Sequence, residues 1–466
     1  MSKILISAAH RSSGKTTIAT GIIRALAREG HIVQPFKKGP DYIDPMWLTA
    51  AALPHGRACR NLDYHTMSSE EITATFQGHR GGADFCLIEG NMGLYDGLDL
   101  DGGNSSAALA GLLGAPVVLV IDAGGMTRSI APLVLGYQAF EPKVEITGVI
   151  FNKVGGGRHE AKLRAAIEHY TDLPVLGAVH CDPRLEITER HLGLIPSNEA
   201  SDAEAKIAAI TQVISQQVDL ERLLAIAPPS PAAPPPGVKP EVRPEVKIGI
   251  ARDRAFGFYY PGDLEALAAA RAELVPIDLL SDARLAQIDG LIIGGGFPET
   301  HMAELEANAA MRRQIRAAIE AGLPAYAECG GLMYLARSLS WAGQVREMAG
   351  VIAADAVMHE KPQGRGYTRL RETGRCPWPA PDVSEQPAHE FHYSSLENLG
   401  FEPVYAYDVL RGSGIDGRHD GIVIHNLVAG FAHLRNVGGN RWTRRFVDFV
   451  RACKKSSDIP AERPRQ

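Results

Sequence analysis

Eight of the seventeen residues from Pro228 to Pro244 are proline, and the stretch offers little apolar side chain from which to build a core. Proline fixes φ and has no amide to donate, so such a run neither continues a helix nor enters a sheet interior. It acts as a semi-rigid spacer rising about 3.1 Å per residue. In a chain of 466 residues this interruption leaves two segments of similar length. Each must bury its own core, and each is long enough to do so, since domains usually run to roughly 100–200 residues. The organisation expected is a first domain over 1–227, a linker over 228–245 and a second domain over 246–453.

Ahead of the linker, short Val/Ile/Leu runs alternate with helical stretches: 3–7, 31–36, 85–88, 116–121, 146–151 and 175–178. Near-continuous apolar strands separated by helices predict a parallel sheet covered on both faces. Behind the linker the rhythm resumes at 246–251, 273–276, 290–293, 325–327 and 421–424, which predicts a second α/β domain with no detectable sequence repeat of the first. The fold class expected is α/β in two domains.

Charge and cysteine usage narrow the function classes. Lys and Arg number 48 against 54 Asp and Glu, a formal charge of −6, so affinity by phosphate neutralisation of a nucleic acid is not expected. No window holds the ~18 apolar residues of a membrane span, and the apolar start of the chain reads as a first strand instead of a leader. The six cysteines have no paired spacing, which points to a reduced, cytoplasmic protein without disulfide framework or structural zinc.

The first strand runs into Ala9-His10-Arg11-Ser12-Ser13-Gly14-Lys15-Thr16-Thr17, which opens a helix reaching about Glu29-Gly30. Strand, glycine-containing loop and helix N-terminus are the context in which backbone amides cradle phosphate. Gly14, Lys15, Thr16 and Thr17 are the ATP-binding candidates, with Lys15 on the β/γ oxygens and Thr16 on Mg²⁺. Ala9 stands where this loop usually begins with glycine, and a chance Gly-Lys-Thr in an ordinary strand-turn-helix is the plain alternative. Carboxylates are also needed at the carboxyl ends of neighbouring strands, where ligands of open α/β sheets gather. Glu89 ends one strand, and Asp41 and Asp44 lie just past another within Gly39-Pro40-Asp41-Tyr42-Ile43-Asp44-Pro45; solvated loop acids are the alternative for each. The glycine-rich loop through Met92, Leu94, Tyr95 and Asp96 reads as substrate-facing, and Gly155–Gly157 as a flexible connection.

In the second half, 323–333 reads as strand, tight turn and helix with Cys329 at the apex. Small residues at Ala327 and Gly331 let the turn close, and a helix N-terminus lowers a thiol pKa, so Cys329 is the candidate nucleophile rather than an inert buried thiol. The strand ending in Gly294-Gly295-Gly296 offers amides for an oxyanion, with Gly295, Gly296 and Gly330 as candidates. His433 is the candidate base. His389-Glu390-Phe391-His392 competes for that role and could suggest metal, although its spacing is not that of a zinc helix.

These motifs resemble the cobyrinate a,c-diamide synthase family over nearly the whole chain. The resemblance is carried by Gly14–Thr17, Gly39–Pro45, Met92–Gly97, Glu189–Leu194, Gly294–Glu299, Glu328–Leu332 and His389–Ser394. It implies an ATP-dependent synthetase domain resembling dethiobiotin synthetase, joined to a triad-type glutamine amidotransferase domain. It further implies Cys329 as nucleophile and His433 as its activator, with the third, acidic triad member absent, and it places Asp41, Tyr42, Glu89 and Asp96 at the synthetase site. Thr16, Asp41 and Glu89 are the metal set expected there.

The implied chemistry is glutamine- and ATP-dependent amidation of the a and c acetates of a tetrapyrrole through an acyl phosphate, with Mg²⁺. Glutamine and a tetrapyrrole are the expected partners, and a homodimer is an open option for assembly. His10-Arg11-Ser12-Ser13, Lys37-Lys38 and His433–Asn436 look more like a sister branch thought to amidate siroheme, which leaves the macrocycle open. A nucleotide-gated switch of the partitioning or nitrogenase-iron-protein type is the rival from another class, and a non-catalytic tetrapyrrole carrier is a second. The switch usually carries Lys where His10 stands and leaves the turn at Cys329 unexplained.

Overall fold

The computed structural model describes all residues except 1, 56, 188, 191–192, 200–201, 228–242, 380–384 and 458–466. Most of the expected linker, and His191 and Leu192 of one motif, therefore lie outside the described residues. The chain divides into two compact units, Met1–Lys239 and Pro240–Gln466.

The first unit is built on seven parallel strands: β1 (Ser2–Ala8), β2 (Val33–Lys38), β3 (Arg60–Leu62), β4 (Phe85–Glu89), β5 (Val117–Asp122), β6 (Ile146–Val154) and β7 (Val175–His180). Their order is β3-β2-β4-β1-β5-β6-β7. Strands β2 and β4 are buried along their whole length, which explains the apolar run of β4; β2 buries Gln34, Lys37 and Lys38 among its apolar residues. Edge strand β3 escaped the sequence reading because three residues carry no periodicity.

The order reverses direction around β1. Helix α1 (Lys15–Arg28) packs against α2 (Ile43–Ala51) and α3 (Ala203–Gln217), on the face to which the right-handed rule for parallel crossovers sends α1 and α2. The helices that follow β3 to β6 take the other face. The loop after β1 thus opens at a topological switch point, with the carboxyl ends of β2 and β4 beside it. Gly155–Gly157 is no loose connection: Gly156 precedes, and Gly157 begins, the helix Gly157–Tyr170.

The second unit holds a nine-stranded mixed sheet. Its strands are β8 (Val246–Ala251), β9 (Ala272–Ile277), β10 (Gly290–Ile293), β11 (Ala325–Glu328), β12 (Gly364–Glu372), β13 (Glu385–His392), β14 (Val404–Arg411), β15 (His419–Ile424) and β16 (Leu427–Gly430). The order is β9-β8-β10-β11-β16-β15-β14-β12-β13. Its first five strands are parallel, and an antiparallel extension follows. On the central strands, Ile293, Ala327 and Ala429 enter one core while Ile292, Tyr326 and Val428 enter the other, the period-two alternation of a sheet buried on both faces. Helices α4 (Pro261–Ala269), α5 (Gly330–Leu335) and α6 (Trp442–Ser457) complete what the site needs.

Candidate functional site

Gly14 sits at the mouth of α1 with φ of 87°, in the left-handed region. A β-carbon there would lie 2.2 Å from Nδ2 of Asn152, which donates to the Ser13 carbonyl at 2.9 Å, so only glycine fits. Lys15, buried in the first turn of α1, donates from Nζ to the Met92 carbonyl at 2.7 Å and ties the phosphate loop to the loop after β4. Burial, reinforced by the positive charge of Lys37, pulls its pKa down to about 8. Thr16 donates from Oγ1 to Oε1 of Glu89 at 2.8 Å, and Thr17 lies half-buried beside it.

Strand register places Lys37 directly opposite Glu89. Its Nζ is 2.5 Å from Asp44 Oδ2, 2.9 Å from Glu89 Oε1 and 4.0 Å from Asp41 Oδ2. Burial works against the Lys37 ammonium, but the three carboxylates outweigh it and keep it charged. Burial raises Glu89 and, with help from the neighbouring Asp44, raises Asp41; the Lys37 ammonium holds Asp44 down despite its burial.

Thr16 and Glu89 of the expected metal set meet directly. Asp41 uses Oδ1 to accept the amides of Ile43 and Asp44 at the start of α2, while Asp44 joins Glu89 beside Thr16 and Lys37. Among the described residues no group of three or more His, Cys, Asp and Glu side chains is arranged to hold a metal by itself. Magnesium bound with phosphates needs only one or two protein carboxylates. Glu89 Oε2, buried and without a hydrogen-bond partner, together with the Thr16 hydroxyl and Asp44, fits that requirement.

The remaining candidates of this unit lie nearby. Tyr42 is half-buried just before α2. Asp96 is exposed and accepts the Gly93 amide at 2.8 Å, bracing the loop that Lys15 holds. Sequence reasoning noted Lys37 only as a family variation. Its place at the site depends on pairing between strands 52 residues apart.

In the second unit Cys329 occupies the sharp turn between β11 and α5, with φ of 48° and ψ of −102°, outside the ordinary regions for an L-residue. The turn is held by the Cys329 amide on the Gly430 carbonyl at 2.8 Å and by the closeness of Gly331 to β10. A β-carbon on Gly331 would stand 2.1 Å from the Ile293 carbonyl oxygen. We expect Gly331→Ala to destabilise this unit by about 2 kcal/mol or more through overpacking against backbone, read as a lower urea midpoint at unchanged slope.

His433 hydrogen-bonds Cys329 and, through Nδ1, meets Glu328 Oε2 at 3.2 Å. Burial alone would lower its pKa; the bonds to Cys329 and Glu328, and their negative charge, push it up to about 10. The acid that meets His433 is Glu328, the residue before the nucleophile. Gly295 has no room for a side chain, since a β-carbon would lie 2.7 Å from Cε1 of His433. Gly296 and Gly330 pack backbone against backbone, with the β-carbon position of Gly330 3.1 Å from the Gly296 nitrogen. The competing motif splits: His389 stacks on His433 at 4.9 Å, while His392 stacks on Phe431 and bonds the Ser394 carbonyl.

A phosphate loop on a parallel sheet and a cysteine turn with its histidine define a nucleotide-binding domain joined to a glutamine amidotransferase domain. Two family descriptions match accordingly: "CobQ/CobB/MinD/ParA nucleotide binding domain" over residues 4–195 and "CobB/CobQ-like glutamine amidotransferase domain" over residues 247–440. A cobyrinate a,c-diamide synthase from Magnetococcus marinus is 47% identical over 96% of this chain and 97% of its own. Those of Methanosarcina acetivorans (40%; 93% and 92%) and Archaeoglobus fulgidus (39%; 97% and 98%) match in the same way. This chain belongs to the cobyrinate a,c-diamide synthase family. It is an ATP-using, glutamine-dependent amidating ligase, which sets aside the nucleotide switch and the passive carrier.

Proposed function

We propose that the chain amidates the a and c acetate side chains of a cobyrinate-type tetrapyrrole. The observation that carries the reading is the convergence of Lys15, Thr16, Lys37, Asp44 and Glu89 at one end of a parallel sheet, in a chain that also holds the Cys329–His433 pair. A carboxylate at neutral pH is a poor electrophile. In this mechanism its oxygen attacks the γ-phosphorus, ADP leaves, and ammonia then displaces phosphate from the acyl carbon and loses a proton.

Lys15 and the start of α1 bind the phosphates, and the ammonium of Lys37 faces charge that builds during transfer. Thr16, Asp44 and Glu89 would hold Mg²⁺, which supplies charge neutralisation at the phosphates. At the other site Cys329 attacks the glutamine amide, His433 gives the leaving ammonia its proton, and Gly296 and Gly330 amides receive the oxyanion. Water then releases glutamate.

An apolar macrocycle has a surface to meet on the loop after β4: Met92, Leu98 and Leu100 are all exposed there, the last fully. That loop is ordered by Asn104 on the Leu98 amide and by Asp96 on Gly93. Lys37 lies buried among carboxylates, so the Lys37-Lys38 pair bears on activation chemistry, and its weight for a siroheme-type ring falls accordingly. Among the described residues no helix is long and apolar enough to cross a membrane, and ATP and glutamine as co-substrates support a cytoplasmic setting.

The test offers cobyrinic acid, sirohydrochlorin and siroheme separately with Mg-ATP and glutamine and locates new amides by fragmentation. We expect two acetate amides on cobyrinic acid and a rate at least tenfold lower on the other rings. Amides confined to propionates, or a faster reaction with siroheme, would overturn the assignment.

A further inference from the structure

A thiol–imidazole pair works best when the second ring nitrogen is held by an acceptor, because that fixes both the tautomer and the direction of the first. Here the acceptor comes from an unusual place. Glu328 is the last residue of β11, one position before the nucleophile, and its carboxylate is buried. Its Oε2 meets His433 Nδ1 at 3.2 Å. Its Oε1 accepts the Tyr326 hydroxyl at 2.6 Å and the Leu434 amide at 2.9 Å.

The strand's period of two explains the set. Tyr326 and Glu328 share one face of β11, so the phenol two residues back reaches the carboxylate directly. Tyr326 is itself packed on Trp442 at 4.8 Å, and Trp442 donates to Asp263 at 3.1 Å from Nε1. The Leu434 amide follows His433 immediately, so the same carboxylate grips the histidine by ring and by backbone. One ring nitrogen is thereby committed to Glu328, and the other remains for Cys329.

We propose that Glu328 is the positioning residue of the glutaminase site, holding the imidazole of His433 toward Cys329 in the role of a third triad member. The inference rests on Cys329 and His433 being the glutaminase pair. The ionisable groups around the pair are Tyr326 and Glu328 from β11, His389 stacked on the ring, Tyr260 beyond it, Asp263 of α4 and Arg435, whose guanidinium lies 4.8 Å from the Tyr260 ring. The geometry places Glu328 on Nδ1.

The experiment uses the full chain and reads glutamine hydrolysis, the pH profile of Cys329 alkylation by iodoacetamide, and ammonium-supported amidation. Glu328→Gln should lower kcat of glutamine hydrolysis by roughly 10²-fold while KM moves less than about threefold, since the amide supports the wrong tautomer. Loss of the carboxylate weakens the imidazolium that stabilises the thiolate, so the alkylation midpoint should rise by about one unit. Placed on His433→Asn, the same substitution should cost less than about threefold, because the residue acts through the ring.

Tyr326→Phe removes one donor to Oε1 and keeps the packing. It should cost roughly three- to tenfold in kcat, and it carries the test if Glu328→Gln does not fold. Near-native hydrolysis with an unmoved alkylation profile, or a full additional loss on the His433→Asn background, would overturn the proposal and leave Glu328 a structural brace. Should Cys329→Ser retain hydrolysis, or His433→Asn hydrolyse glutamine at the parent rate, the underlying reading of the pair fails instead.

Discussion

Cys329→Ser is expected to abolish glutamine-supported amidation, with the rate at high ammonium staying within about twofold of the parent chain. The reason is a division of labour written into the two units. Cys329 sits on the second unit's sheet, at a backbone conformation maintained by its own contacts with Gly430 and by Gly331 against β10. The groups proposed to activate the carboxylate all lie on β2, β4 and the first turns of α1 and α2, in the first unit. A serine hydroxyl at this position has the wrong intrinsic acidity to profit from His433, so glutamine hydrolysis should fall by at least roughly 10³-fold. The check is paired progress curves, ADP against amide, with each nitrogen donor. Equal losses with glutamine and ammonium in a folded variant would show that the thiol serves the synthetase step itself.

Lys15→Ala and Glu89→Gln are expected to fail with both donors, because each acts before ammonia is needed. Removing a cation aimed at transferring phosphate costs about 3–4 kcal/mol, or roughly 10²–10³ in rate. Lys15 has a second duty, its bond to the Met92 carbonyl, so the alanine variant should also loosen the loop that carries Met92, Leu98 and Leu100. That effect is visible as a rise in KM for the tetrapyrrole on top of the fall in kcat.

Glu89→Gln removes one of two close carboxylates from the buried Lys37 ammonium and leaves Asp44 to hold it. The variant should therefore fold, losing stability in the range of about 1–3 kcal/mol, while amidation drops with either donor. Near-native amidation with ammonium by either variant would remove that residue from the site.

Some of this was legible in the chain itself. The split into two units, the strands β1, β4, β5 and β8, the phosphate loop and the turn at Cys329 are local features. Each is declared by consecutive residues: a proline run, a period, a glycine beside a lysine or a thiol. Local sterics decide them, so neighbours in sequence are sufficient evidence. The glycines at 14, 295 and 331 are also readable as positions of close approach, although the atoms that crowd them come from elsewhere.

Three features belonged to the tertiary structure alone. Lys37 became a member of the acidic cluster because parallel register sets it against Glu89; shifted by one residue, Lys38 would face that cluster and Lys37 would turn away. Asp44 closed on Lys37 while Asp41 turned Oδ1 to the start of α2, a division invisible until the helix is in place. Glu328 found His433 across 105 residues because β11 lies beside β16 and pairs Glu328 with Gly430, three residues before the histidine. Just beyond His433 itself stands Arg435, and reading only that stretch predicts no acid at all. Backbone preference acts over a few residues, whereas the pairing of charges is set by strand order and register, which the chain acquires only when both sheets close.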